Sequence, residues 1–437
     1  MQKITKPMLR VLTLMLLFFI TIAPYVRAQT LPLEERLFIL SKTYASIALY
    51  FAHWEDAAIK SEQLDSVYKD FLNRAIATEN RKDFALLIKE FIAPLNNTHT
   101  QYSDYELYKE VKPLGFRRIN LDGQLIVTKS YIEELKKGDM ILKIDRKPLN
   151  EYYKELSKYI AGSNERYRQG EFSWMVALFI PDKYTLEFMN EKGKVKEIQV
   201  DRGKLNIKDD EELKTEGRWI KENKIAYIKI PSFGDPEFQN DAIEYVKKFK
   251  NANVLIIDVR NNGGGNTPSK LTDALMDKPY RWYAESTPIS IGLFKFYVDS
   301  YSDYELNRYF KNSHLLWKPD YSEPESTIYT NELIILTDGY TGSAAEDFVV
   351  PFKDNGRAII IGEPTGGSTG QPYMYDFGKG ISIRIGTKRA YMPDGSKFEG
   401  VGVLPDIEVK LTRQDLYKDR DRILEKALEE ADKLLVQ

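Results

Sequence analysis

Ser343 stands where a strand-like run, ELIILT, gives way to a helix-like run in the segment TDGYTGSAAEDFVV. A hydroxyl at such a junction has two uses. Ser343 and Glu346 form a capping box, which makes Ser343 a helix cap. The same geometry also presents the oxygen sharply, and backbone N–H groups of the first helical turn can hold a developing oxyanion. Gly342 before Ser343, and Ala344 and Ala345 after it, leave room for a substrate backbone. The segment reads Thr341-Gly342-Ser343-Ala344-Ala345-Glu346, without the G-x-S-x-G elbow, so an α/β-hydrolase is disfavoured. A serine nucleophile needs a proton acceptor. The chain holds three histidines, His53, His99 and His314, and no cysteine. Thiol catalysis, thiolate metal sites and disulfides are therefore excluded.

A second loop, LIIDVRNNGGGN, ends a strand-like run in Gly263, Gly264 and Gly265. It fits neither a Walker loop nor G-x-G-x-x-G, which argues against a nucleotide cradle. Consecutive glycines free the backbone to turn an N–H toward a ligand. Asp258 and Arg260 could equally hold this loop through buried polar pairs.

Four stretches in order, DVRNNGGG, TGSAAE, GEPTGGSTG and EGVGVLPD, resemble the serine peptidases of the carboxyl-terminal processing (tail-specific) and tricorn-core family. GDMILKIDRKPL resembles the PDZ domain that many members carry. The resemblance implies an α/β protein. It would have a crotonase-like catalytic core, an N-terminal helical region and an inserted PDZ-like β-rich domain. It makes Ser343 the nucleophile.

Carboxyl-terminal processing members use a Ser/Lys dyad, but here the lysine position falls on Ser368. Lys379, in FGKG, reads as a solvated hairpin turn. The tricorn-like branch is more similar. It implies His99, in NNTHT, as general base, with Thr98 and Glu399 in the polar network around it. An ordinary histidine pKa near 6.5 suits that task. The resemblance implies no metal or organic cofactor. It places the oxyanion on Ala344 with Gly263 or Gly264, and peptide binding on the loop Leu114, Gly115, Phe116 of KPLGFRRI. His53, in FAHWED, reads as a packed or surface residue of a helical run. His314, in an aromatic-rich insertion, is the weaker base. The expected activity is that of a serine endopeptidase acting on peptides or unfolded protein. The alternatives are a catalytically inactive PDZ-containing binding protein and a Ser/Lys processing peptidase.

The elements that must position these residues follow from periodicity. LEERLFILSKTYASIALYFAHW and KDFALLIKEFIAPL repeat apolar residues at helical spacing, which makes 29–110 helical. Residues 111–205 are β-rich, with GQLIVTKS, GDMILKID and KYTLEFMNEKGKVKEIQV as strands and NEYYKELSKYIAG as a helix. From 206 to 437, KIAYIKI, DAIEYVKKFK and NVLIIDV form a strand-helix-strand unit. ELIILT, the helix at Ser343 and AIIIGE repeat it. RQDLYKDRDRILEKALEEADKLLVQ reads as one terminal amphipathic helix.

Residues 1–28 carry a basic start, the apolar run VLTLMLLFFITIAPYV and small residues in VRA. This is the pattern of a cleaved export signal. The predicted exported chain is soluble, periplasmic or extracellular, and free of a stable membrane span. Its 59 basic and 65 acidic residues give −6, and a sequence pI near 6.2 gives no reason to expect nucleic acid. N-terminal sequencing of the exported protein should begin near Gln29; an intact Met1 would refute cleavage.

Overall fold

The structure, a computed structural model, describes residues 30–109, 111–207, 212–300 and 319–436. The predicted export signal and His314 lie outside these residues.

The largest sheet has six strands. In spatial order they are Ile407–Glu408, Ile359–Gly362, Glu332–Thr337, Val254–Asp258, Ile225–Lys229 and Glu216–Lys221. The first five are parallel and the last is antiparallel. All five residues of Val254–Asp258 are buried, as a parallel strand covered on both faces must be. One face packs on helices Pro236–Lys248, Ser269–Leu275 and Ala344–Asn355 through residues such as Val246, Leu271 and Phe348. The other face packs on helix Arg422–Leu434 through Ile423, Ala427 and Ala431. Three loops, 259–266, 338–343 and 363–370, leave the carboxyl ends of three adjacent parallel strands. That edge is where open α/β sheets gather ligands.

A second sheet is antiparallel, in the order Phe116–Leu121, Gln124–Ser130, Met140–Ile144, Lys183–Met189, Val195–Asp201. It has its own core, which includes Ile144, Phe172, Leu186 and Phe188. The N-terminal helices Leu33–Tyr50, Leu64–Ala77 and Arg81–Ile92 share a core with Ile381, Ile383 and Ile385 of a distant hairpin. Strand Gln101–Asp104 is the third strand beside that hairpin. The segment that carries His99 is thereby tied to the C-terminal half.

Three elements differ from the sequence reading, one being strand Gln101–Asp104 inside the span 29–110 read as helical. Helix Glu165–Met175 escapes that reading, because the run is polar and carries Gly170 at mid-helix, where glycine is unfavourable. Only Phe172 and Met175 of this helix are buried. The terminal helix is two helices, Arg413–Tyr417 and Arg422–Leu434. The break falls at Asp419, with φ of 50°, and Asp421 caps the second helix by accepting from the Leu424 N–H at 3.0 Å.

Candidate active site

Ser343 precedes helix Ala344–Asn355 with φ 52° and ψ −124°, a conformation that L residues rarely adopt and that costs energy. Its surroundings hold it there. The Ser343 N–H donates to Glu346 Oε2 at 3.1 Å and to the Ser368 carbonyl at 3.2 Å. The expected capping box is thus half used for its backbone arm, while the hydroxyl turns to a histidine.

His99 is almost fully buried. It sits in the turn between Ala93–Leu95 and Gln101–Asp104. Its Nε2 lies 3.3 Å from Ser343 Oγ and its Nδ1 lies 2.9 Å from Ser368 Oγ. The Ser368 hydroxyl in turn donates to Glu399 Oε1 at 3.0 Å. That oxygen also accepts from Ser163 Oγ at 2.5 Å and Asn97 Nδ2 at 3.1 Å. This order fixes the imidazole tautomer. While Glu399 is ionised, Ser368 spends its proton on it, so the serine oxygen accepts from Nδ1–H. Nε2 is then left bare toward the Ser343 hydroxyl, the arrangement a general base requires.

The electrostatics depart from the sequence expectation. Burial, reinforced by Arg384 and His53, pulls His99 down from the ordinary histidine value to about 3. His99 is therefore neutral throughout the usual histidine range. Burial pushes Glu399 up to about 7, against the hydrogen bonds from Ser163 and Ser368. Removing these groups from water disfavours whichever form is charged, which moves an acid up and a base down.

Glu346 is the second buried carboxylate, pushed up to about 8 by desolvation. Besides Ser343 it accepts from Thr365 Oγ1 at 2.5 Å and from the N–H groups of Gly367 at 2.7 Å and Ser368 at 3.1 Å. It clamps the 365–368 loop to the turn that carries Ser343, and so sets where Ser368 meets His99.

The glycine loop approaches from the neighbouring strand. Gly264 has φ +97°, and a Cβ there would come within 2.7 Å of Ala344 N and Ser343 Cβ. Only glycine permits that approach. Its own N–H donates to Asn262 Oδ1 at 2.9 Å, so Gly264 is corrected as an oxyanion donor. Gly263 and Ala344 both line the cleft, and neither N–H has a hydrogen-bond partner among the described residues. Arg260 bridges Asp258 and Asp421, and Tyr227 OH donates to Asp258 at 2.7 Å. These pairs hold the loop from below.

Thr98 touches neither Ser343 nor His99 by hydrogen bond. Its N–H donates to Ser163 Oγ at 3.0 Å, and its hydroxyl accepts from the Ser163 N–H at 3.1 Å. It positions the serine that reaches Glu399. His53 is not helical. It is fully buried beyond the end of Leu33–Tyr50, with Nδ1 3.7 Å from Glu399 Oε2. Burial and Arg389 hold it near pKa 3, so this is a contact with a neutral ring and not an ion pair. Ser163, Asn97 and His53 are the site neighbours that sequence reading missed; Glu346 was read only as a helix-capping partner. Ser368 was noted only as the residue at the position where the resemblance led one to expect a lysine.

Lys379 lies on the exposed turn of hairpin Pro372–Gly378/Ile381–Gly386 and pairs with Glu35. It does not line the cleft. Replacing it with Met should leave peptide hydrolysis unchanged in an initial-rate assay.

The cleft at Ser343 has a volume of about 1830 Å³. One wall is the outer strand Phe116–Leu121 and the loop before it, including Leu114 and Gly115. Leu114 is buried, and its carbonyl accepts from Tyr184 OH. Gly115 has φ +93°, and a Cβ there would meet Leu205 Cδ1 at 2.5 Å. Among the described residues no group of acidic or histidine side chains could hold a metal ion, and no helix is long and apolar enough to cross a membrane.

Residues 224–409 match the family model for Peptidase family S41. Carboxyl-terminal-processing peptidase 2, chloroplastic, of Arabidopsis thaliana is 27% identical over 185 residues, covering 42% of this chain and 31% of its own length. A putative tricorn-like protease C-terminal subunit of Sulfurisphaera tokodaii is 24% identical over 401 residues, covering 87% of this chain and 41% of its own. The chain thus spans less than half the length of these relatives. A crystal structure of mature CPAF superposes with a TM-score of 0.70 at 17% identity, covering 92% of this chain and 98% of that one. The mixed α/β fold is therefore shared across nearly the whole chain.

Proposed function

We propose that the chain is an exported serine endopeptidase in which Ser343 attacks a peptide carbonyl. The observation that supports this best is the unbroken line Ser343, His99, Ser368, Glu399 along the cleft. His99 Nε2 takes the hydroxyl proton as the Oγ–C bond forms, and returns it to the leaving amine as the C–N bond breaks. Water then attacks the acyl-enzyme by the same route. The N–H groups of Ala344 and Gly263 receive the oxyanion. Glu399, while ionised, stabilises the imidazolium through Ser368.

In this reading the sheet at 111–205 is a PDZ-like domain inserted between His99 and a crotonase-like core at 206–437. A peptide adds to the free edge of Phe116–Leu121 and leads into the cleft. No metal or cofactor takes part. The mature protein is periplasmic or extracellular and soluble.

A fluorophosphonate reagent tests the reading. It should attach covalently to Ser343, as peptide mapping would locate, and Ser343→Ala should abolish the labelling. A protein that stays unlabelled while folded would instead be a non-catalytic peptide binder.

A further inference from the structure

His53 is a buried ring beside the site that the Ser343 reaction leaves idle. It follows helix Leu33–Tyr50 in an irregular segment and rests against Phe51, with ring centres 5.6 Å apart. One edge faces Gly386, where a Cβ would come within 3.1 Å of Cδ2 and Nε2. Nδ1 faces Glu399 Oε2 at 3.7 Å. Among the described residues neither ring nitrogen has a hydrogen-bond partner, and neither has Glu399 Oε2. The two oxygens of Glu399 are therefore served unequally. Oε1 accepts from Ser368, Ser163 and Asn97, while Oε2 is bare. A buried donor and a buried acceptor left unpaired are costly. A separation of 3.7 Å is too long for a formed N–H···O bond and too short to seat a water, which keeps about 2.8 Å from each partner. Closing the gap needs a shift of roughly 0.7 Å. Arg389 and Asp56 act on both His53 and Glu399, but Arg389 is spent on Asp56 and Glu55. The Lys388 backbone acts on the ring alone. Tyr283 acts on Glu399 only after Glu346, Asp347 and Glu285.

We propose that His53 is a positioning residue of the Ser343 site: its Nδ1–H closes on Glu399 Oε2 once that carboxylate is charged, and so extends the line Ser343, His99, Ser368, Glu399 by one residue. This rests on the peptidase reading. A neutral imidazole carries a single N–H, and burial with Arg389 keeps this ring neutral, near pKa 3. His53 then gives a hydrogen bond without giving up the proton, and Glu399 keeps its charge to stabilise the His99 imidazolium. A donor to the charged form favours that form. Burial pushes Glu399 up to about 7, so activity is present above that range and lost as the pH falls through it. Without His53 the carboxylate would take its proton earlier, and the acid limb of kcat/KM would move to higher pH.

The test uses the full chain and a fluorogenic peptide, and follows kcat and KM across the pH range. In His53→Phe, which fills the space but donates nothing, the acid limb should move up by roughly one pH unit, about tenfold in kcat/KM just below the parent's limb. The loss should lie in kcat, with KM close to the parent's. His53→Asn, whose amide N–H reaches the place of Nδ1, should hold the limb near the parent's position. His53→Gln, whose amide reaches the place of Nε2, should not. A ring that merely filled space would give the opposite ranking, with Phe closer to the parent than Asn. The Asn and Gln pair also covers the case in which the Phe variant fails to fold. In Glu399→Gln, adding His53→Phe should cost nothing further, because no charge remains to be stabilised. A limb that stays put or moves to lower pH in folded His53→Phe, equal limbs in the Asn and Gln variants, or a parent without an acid limb would each overturn the proposal. Fluorophosphonate labelling of Ser343 in the parent chain is read separately. No label sinks the peptidase reading, whereas label with an unmoved limb sinks only the role of His53.

Discussion

Peptide hydrolysis should fall by roughly 10²–10⁴-fold when His99 is replaced by Ala, the usual contribution of a positioned general base. The loss should appear in kcat, because His99 moves a proton only as the Oγ–carbonyl bond forms. A KM close to the parent's is expected, since in the proposed reading most of the peptide lies along the strand edge, away from the imidazole. The double variant Ser343→Ala/His99→Ala should be no slower than Ser343→Ala alone, because nucleophile and base act as one unit. Steady-state rates with a fluorogenic peptide decide the matter. Full activity in His99→Ala would return the role of base to another residue. Lys379 is a poor substitute, exposed on its hairpin and paired with Glu35.

Ser343, His99 and Glu399 were more legible in the sequence than the residues that orient them. Ser343 announces itself by composition, with small residues around a hydroxyl at a strand-helix junction. His99 and Glu399 were reached through motif resemblance, and the structure brings both into one network with Ser343. Ser368 was visible only as the residue standing where a lysine was expected. Its placement arises from Glu346, which folds the 365–368 loop onto the turn that carries Ser343, a tertiary event with no local signature. Ser163 reaches Glu399 across 236 positions of chain, a separation that no periodicity argument spans. The strands of the large sheet were legible because burial on both faces forces continuous apolar runs. Helix Glu165–Met175 was not, because one buried face on a short helix leaves little pattern. The shifted pKa of His99 was equally hidden, since burial is a property of the folded chain and not of the NNTHT motif.

Replacing Glu399 with Gln should slow hydrolysis by on the order of 10²-fold and change the pH profile. The loss should stay short of the roughly 10⁴ expected when a wrong imidazole tautomer is trapped, because the Gln carbonyl can still accept from Ser368 and keep Nδ1 protonated. What disappears is the negative charge that stabilises the imidazolium. The pH dependence follows from the two shifts and their signs. Glu399 is pushed up to about 7, so lowering the pH through neutrality protonates it and removes that charge while His99 is still neutral. The parent's kcat/KM should therefore decline through that window toward the level of Glu399→Gln. The variant should stay flat there, because His99, held near 3, has not begun to titrate. Ser368→Ala should behave differently. It deprives Nδ1–H of its acceptor, lets the imidazole adopt either tautomer, and lowers the rate at every pH without removing the Glu399 limb entirely. A parent profile that is level from pH 8 to 5, or a Glu399→Gln profile that falls in parallel with the parent's, would show that the carboxylate carries no charge to the reaction and serves only to hold Ser368 and Ser163 in place.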